Sequence, residues 1–301
     1  MTQAAGDGLR HRRGGGEMNI LRRLGVTVLA LLLTGGGLWL LGSSSLATQL
    51  AGYARSPSVD ALAAASGGAL LLGLAGLCIA WSRSSAVMVG FVLLVISLVA
   101  VATYAGDPQL MSPLLRLFHG SVIGMELTPA WFASGPGLLA AMVLLVAGFA
   151  GARGAGGSVA ALVSALVGLL AFAAAVLALV GGGRFALGLL VQLRADLGGL
   201  WMLLLATVVF AVLLLATRAS GAVALVCGVL LVGANLLLMG TLAPEIRGVT
   251  DDLRVQVPGF WIGALGALLI GVGVGLMLRR ASERRAARPD AAAPTLMPSA
   301  V

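Results

Sequence analysis

LGGLWMLLLATVVFAVLLLAT, residues 197–217, runs uncharged between Asp196 and Arg218. Nothing in it alternates with the period of a half-buried strand, and at about 1.5 Å per residue a helix of this length covers the roughly 30 Å hydrocarbon core of a bilayer. The stretch reads as a membrane-spanning helix closed by a positive charge. Seven further apolar runs carry the same reading: Leu24 to Gly42, Ala61 to Trp81, Ala86 to Tyr104, Ala133 to Ala152, Val159 to Gly181, Gly221 to Leu242 and Gly259 to Leu278. The expected fold is therefore all-α, a polytopic transmembrane bundle of about eight spans.

Composition agrees. The 301 residues are 59% hydrophobic and 10% charged, far below the charge of a soluble domain. All 19 basic residues are Arg, and with so much Ala, Gly, Leu and Val this points to a GC-rich bacterial genome. The net charge of +8 does not imply nucleic acid here, because the arginines sit between and beyond the spans. Arg10, Arg12, Arg13, Arg22, Arg23, Arg83, Arg153, Arg218, Arg279, Arg280, Arg284, Arg285 and Arg288 fall on one side. Arg55, Arg116, Arg184, Arg194, Arg247 and Arg254 fall on the other, in company with most of the carboxylates. Lys/Arg-rich segments resist translocation, so the first side is expected to be cytoplasmic, with both termini there and the protein in the plasma membrane.

Outside the spans, residues 1–17 and 281–301 read as disordered cytoplasmic tails, and Met18 is an alternative start. Arg22 and Arg23, the apolar run after them and Ser43-Ser44-Ser45-Leu46-Ala47 also fit a secretory signal. An internal repeat favours a retained span instead. Residues 18–153 and 154–280 compare as two parallel four-helix repeats joined near Gly154 to Gly157. Asp60 opens the second span and Arg83 closes it; Asp196 and Arg218 do the same in the other half. Leu115-Arg116 matches Leu253-Arg254 at a spacing of 138, and Pro129 before Trp131-Phe132 matches Pro258 before Phe260-Trp261 at 129. The difference marks an insertion around His119 to Thr128.

Candidate sites are few. Asp60 and Asp196, with Arg55 and Arg194, form a candidate outer-face site, although a carboxylate at a helix N-terminus is already accounted for by capping and the macrodipole. Gly259, Gly263, Ala267, Gly271 and Gly275 make a ridge of small residues along the last span, suited to close helix packing within the chain or with a second copy. Asp107 to Trp131 and Gly183 to Leu193 read as interfacial amphipathic segments over the bundle. The five Trp, near span ends, read as interface anchors. Glu245, Asp251 and Asp252 have arginines among them and no calcium-loop spacing, so they read as solvated charge.

Polar residues within the spans are mild, for example Thr34, Cys78, Ser97, Thr103, Ser164, Thr207, Cys227 and Asn235. Proton relays and ion-coupled transporters keep ionisable groups at depth. Two isolated cysteines and two histidines offer neither a disulfide framework nor a metal or haem ligand set. No phosphate-loop, nucleophile-elbow or zinc-hydrolase motif occurs. The expectation is a non-enzymatic accessory or scaffold component of a cell-envelope membrane assembly, without metal or cofactor, whose partners are membrane lipids and other membrane proteins or a homo-oligomer. The alternative is a permease or lipid-handling transporter with an apolar cavity on the axis between the two repeats.

Overall fold

The computed structural model describes residues 21–44, 59–105, 132–149, 158–192, 196–216, 220–239 and 260–286. Among these residues the chain forms eight helices: α1 (Leu21–Ser44), α2 (Val59–Trp81), α3 (Arg83–Ala105), α4 (Pro136–Phe149), α5 (Ser158–Gln192), α6 (Leu197–Ala216), α7 (Gly221–Met239) and α8 (Trp261–Ala286). Six are long and apolar enough to cross a membrane; the apolar stretches of α2 (Leu62–Cys78) and α4 (Pro136–Phe149) are shorter. The chain is a multi-pass helical membrane protein.

The helices are apolar on every side, so side-chain size rather than polarity sorts their faces. On α5, Ala171, Ala174, Ala175 and Ala178 are buried while Leu162, Leu166, Leu169, Leu170 and Leu177 are exposed. In lipid an exposed Leu carries no hydrophobic penalty, and helices associate through close van der Waals packing, which small residues permit. Large residues therefore face outward and small ones inward. The centre is held by α4, buried along almost its whole length, and by α8.

Glycines set the crossings. A β-carbon at Gly37 of α1 would lie 3.0 Å from the Gly68 carbonyl of α2, and Gly181 and Gly199 bring α5 and α6 equally close, with 2.8 Å to the facing carbonyl in either direction. Gly90 and Gly148 do the same for α3 and α4, as Gly228, Gly266 and Gly273 do for α7 and α8. Across the middle, α2 lies on α8 through Gly73, Gly76 and Gly271. A further tie joins the ends of α1 and α3: the Thr27 hydroxyl donates to the Arg23 carbonyl at 2.9 Å, which leaves the Ser85 hydroxyl as donor to Thr27 Oγ1 at 2.6 Å.

Three expectations need correction. Gly181-Gly182-Gly183 does not end the fifth helix, which continues to Gln192, so residues 183–192 are not a separate interfacial segment. The glycines are there for proximity: Gly181 meets α6, and Gly182 touches the backbone of Ser134. The fourth span does not run as one helix from Ala133, because Ser134 and Gly135 break it before Pro136. Lastly, α8 passes residue 280 and ends at Ala286, its last turns supported by the Arg279–Glu283 ion pair at 2.9 Å. The segments 107–131 and 245–254, the 154–157 junction and the rest of both tails lie outside the described residues.

Candidate functional site

The two central helices start in the same way. Gly135, at φ 109, gives its carbonyl to the Leu139 N–H at 3.0 Å; Phe260, at φ 57, gives its carbonyl to the Ala264 N–H at 2.8 Å. Each is the cap of its helix in a backbone conformation that costs an L-residue about 1–2 kcal/mol and glycine nothing. An aromatic ring then folds back on the first turn: Phe132 against Gly137 and Phe260 against Gly263. A polar side chain of the preceding helix meets the same turn, Ser97 from α3 at Gly137 and Asn235 from α7 at Gly263. Both polar residues are fully buried, and among the described residues the Ser97 hydroxyl has no hydrogen-bond partner. Trp261 is 2% exposed, so this tryptophan is core and not the interface anchor expected; the left-handed turn at Phe260 directs it inward. Trp39 and Trp201 do face outward.

Beside the start of α4 an apolar groove of about 290 Å³ lies between α1 and α3, lined by Leu31, Gly35, Leu38, Val92 and Ile96 and floored by Phe132. Thr34 also borders it, but its hydroxyl donates to the Ala30 carbonyl at 2.7 Å. The groove can take an alkyl chain or a ridge of side chains. It offers no acid, base or nucleophile.

Of the outer-face residues, Asp196 is the cap of α6: its Oδ1 accepts from the Gly198 N–H at 3.0 Å and its carbonyl from the Leu200 N–H at 3.0 Å. Asp60 stands exposed in the first turn of α2, and Arg55 and Arg194 lie outside the described residues. In the ridge, Ala267 and Gly271 pack on α2, Gly263 faces Phe260 and Asn235, Gly275 is buried, and Gly259 is outside the described residues. Among the described residues no three His, Cys, Asp or Glu side chains come together as a metal site would require.

Sequence reading missed a cluster at the opposite end. Arg22 and Arg23 of α1, Arg83 at the start of α3 and Arg279 of α8 converge, with Ser82 and Ser84, on one half-open cavity of about 730 Å³. In the sequence these arginines are scattered flanks of different spans. Only the folded bundle shows that three of those flanks share a hollow. Comparison with protein-family models, with curated proteins and with solved structures finds no match.

Proposed function

We propose that the protein is a non-enzymatic scaffold or accessory component of a cell-envelope membrane assembly, built from two related four-helix units. One observation carries the scaffold reading: the place where a central pathway would run is taken by α4 and α8, packed on their neighbours at backbone distance. A β-carbon at Gly76 of α2 would lie 2.6 Å from the Leu268 carbonyl of α8, which leaves no room there for cargo. Among the described residues the buried side chains are mostly Ala, Leu, Val and Phe, with Cys227, Asn235 and a few Ser and Thr as the polar ones, and no buried carboxylate or histidine stands at depth for proton or ion transfer.

The duplication is supported by the pairing of contacts. Gly90 and Ser97 of α3 correspond to Gly228 and Asn235 of α7 at one spacing, 138 residues, the same as between Leu115-Arg116 and Leu253-Arg254. On the fourth helices Leu145 faces Gly90 and Ile270 faces Gly228, and these two are 125 apart, so the first unit holds the longer link between its third and fourth helices. In this reading α2 leans on α8 and α6 on α4, each second helix crossing to the other unit's fourth, and the arginine-rich end faces the cytoplasm.

Purification of the tagged full-length protein in a mild detergent tests the reading. A stoichiometric membrane-protein partner, lost when the outward face of α1 or α6 is altered, is the expected result. A monodisperse monomer without partner in several detergents would speak against it. The lipid-handling alternative keeps one observation in its favour, the apolar groove between α1 and α3; Gly35→Trp fills that groove and would abolish lipid exchange between vesicles if the groove holds the cargo.

A further inference from the structure

We infer that the arginine-lined cavity at the ends of α1, α3 and α8 is a binding site for a phosphate-bearing anion, either the headgroup of an anionic phospholipid or a soluble phosphorylated molecule. The inference does not depend on the scaffold reading. A bias of positive charge toward one side of the membrane explains why arginines occur at this end. It does not explain why Arg22, Arg23, Arg83 and Arg279, from three helices, line the same hollow. Four guanidinium groups held together repel one another, and among the described residues the only carboxylate at this end is Glu283, whose Oε1 accepts from Arg279 Nε at 2.9 Å. Among the described residues Arg22, Arg23 and Arg83 have no carboxylate with them, and a dianion or a diester phosphate would supply the countercharge.

The rest of the lining fits the same chemistry. Ser82 caps α3: its Oγ accepts from the Ser85 N–H at 3.4 Å and its carbonyl from the Ala86 N–H at 3.0 Å. The helix itself supplies no acceptor for the N–H groups of Arg83 and Ser84, at the positive end of a 23-residue helix. Helix N-terminus, hydroxyls and planar guanidinium donors are what phosphate oxygens accept from. The Ser82 and Ser84 hydroxyls, 3.1 Å apart, stand on the cavity wall. About 730 Å³ is the size of a small-molecule site rather than of a single ion. Its depth also suits a lipid: Arg23 immediately precedes the apolar run of α1, and Arg279 immediately follows that of α8, so the cavity lies at headgroup level.

The hollow is fixed from behind. Thr27, one turn beyond Arg23, is tied to Ser85, two residues after Arg83, by the 2.6 Å hydroxyl contact, which sets the α1 arginines beside the α3 start.

The test uses the full-length protein in detergent micelles, with two probes: phosphatidylglycerol against phosphatidylcholine by native mass spectrometry, and pyrophosphate by thermal shift. Arg22→Gln with Arg83→Gln empties the cavity of two charges; Arg284→Gln with Arg285→Gln removes two from exposed α8 positions that do not line it. The expected result is at least a tenfold preference for phosphatidylglycerol over phosphatidylcholine, or a pyrophosphate shift of several degrees, lost in the cavity variant and kept in the α8 variant. Response to the lipid alone assigns the headgroup as ligand, and response to pyrophosphate alone assigns a soluble one. Should the Gln pair fail to fold, Arg22→Lys with Arg83→Lys keeps the charge and should weaken binding severalfold by losing the paired donors. Equal loss in the cavity and α8 variants would reduce the effect to diffuse charge and overturn the site, as would absence of binding to either probe.

Discussion

A β-carbon on Gly271 has no place to go, because the carbonyl of Gly73 on α2 already occupies it. Gly35, on the outward side of α1, has nothing within 4 Å of the same position. The two glycines are chemically identical and sit in helices of similar composition, so exchanging each for valine isolates the packing effect. Gly271→Val is expected to lower stability by at least about 2 kcal/mol, since backbone cannot step aside as a side chain can. Gly35→Val should stay within about 0.5 kcal/mol, as surface substitutions do. Thermal unfolding of the two purified variants in one detergent gives the comparison, and similar losses in both would contradict the crossing of α2 and α8. Individual glycines of this kind were legible only in part. The spacing from Gly263 to Gly275 announced a contact ridge on α8, but Gly266 and Gly273, off that ridge, meet α7 as closely, and no period in the sequence separates the two faces. Asp196 was readable as a cap because a carboxylate just before an apolar run has an evident local use. The arginine cavity was not, since its members come from positions 22, 23, 83 and 279 and only tertiary structure joins them.

Among the elements, α4 and α5 depart furthest from a uniform spanning rod. With 14 residues, α4 is about 21 Å long, too short to cross the hydrocarbon core unaided. With 35, α5 is about 52 Å and must tilt or project beyond it. Sequence placed both helices correctly in the chain, because uncharged runs are unambiguous in lipid, but it misjudged their lengths in opposite directions. In α5 three consecutive glycines looked like an end, whereas they are where α6 and the Ser134 backbone come closest. In α4 the apolar run from Ala133 looked continuous, whereas the chain turns at Gly135. Hydropathy sees neither difference, since both turn on backbone geometry. Gly135→Ala is expected to destabilise by about 1–2 kcal/mol through its positive φ alone, and further because the new methyl would meet Leu203 Cδ1 at 2.9 Å. Hydrogen exchange should show the loss first in the amides of 139–142, with α8 unaffected; a change spread evenly over the protein would mean that the turn is not a local device.

For the whole molecule, helix order and the glycine contacts give a definite sidedness. Antiparallel crossings of α1 with α2, α3 with α4, α5 with α6 and α7 with α8 put Arg22, Arg83 and Arg279 at one end and Asp60 and Asp196 at the other. With Cys78 and Cys227 replaced by Ala, single cysteines at Ser84 and Arg285 should react with an impermeant maleimide from the same side, and one at Asp60 from the opposite side. On the proposed orientation, with the arginine-rich end in the cytoplasm, the Asp60 reporter is expected to be the reactive one in intact cells. Labelling of Ser84→Cys and Asp60→Cys from a common side would refute the arrangement.

The last helix rests chiefly on the second and seventh, and the pairing with α2 spans most of the polypeptide. A ribosome making this protein therefore releases α2 into the bilayer long before its main neighbour exists. Until α8 is translated, the glycine face of α2 has only lipid tails or an insertion chaperone to cover it, while α4 already rests on α3 and α6. Biogenesis of this bundle finishes at the carboxyl end. A stop codon ahead of Trp261 would remove one of the eight described helices, yet it would leave the membrane quality-control proteases an open, unlatched chain.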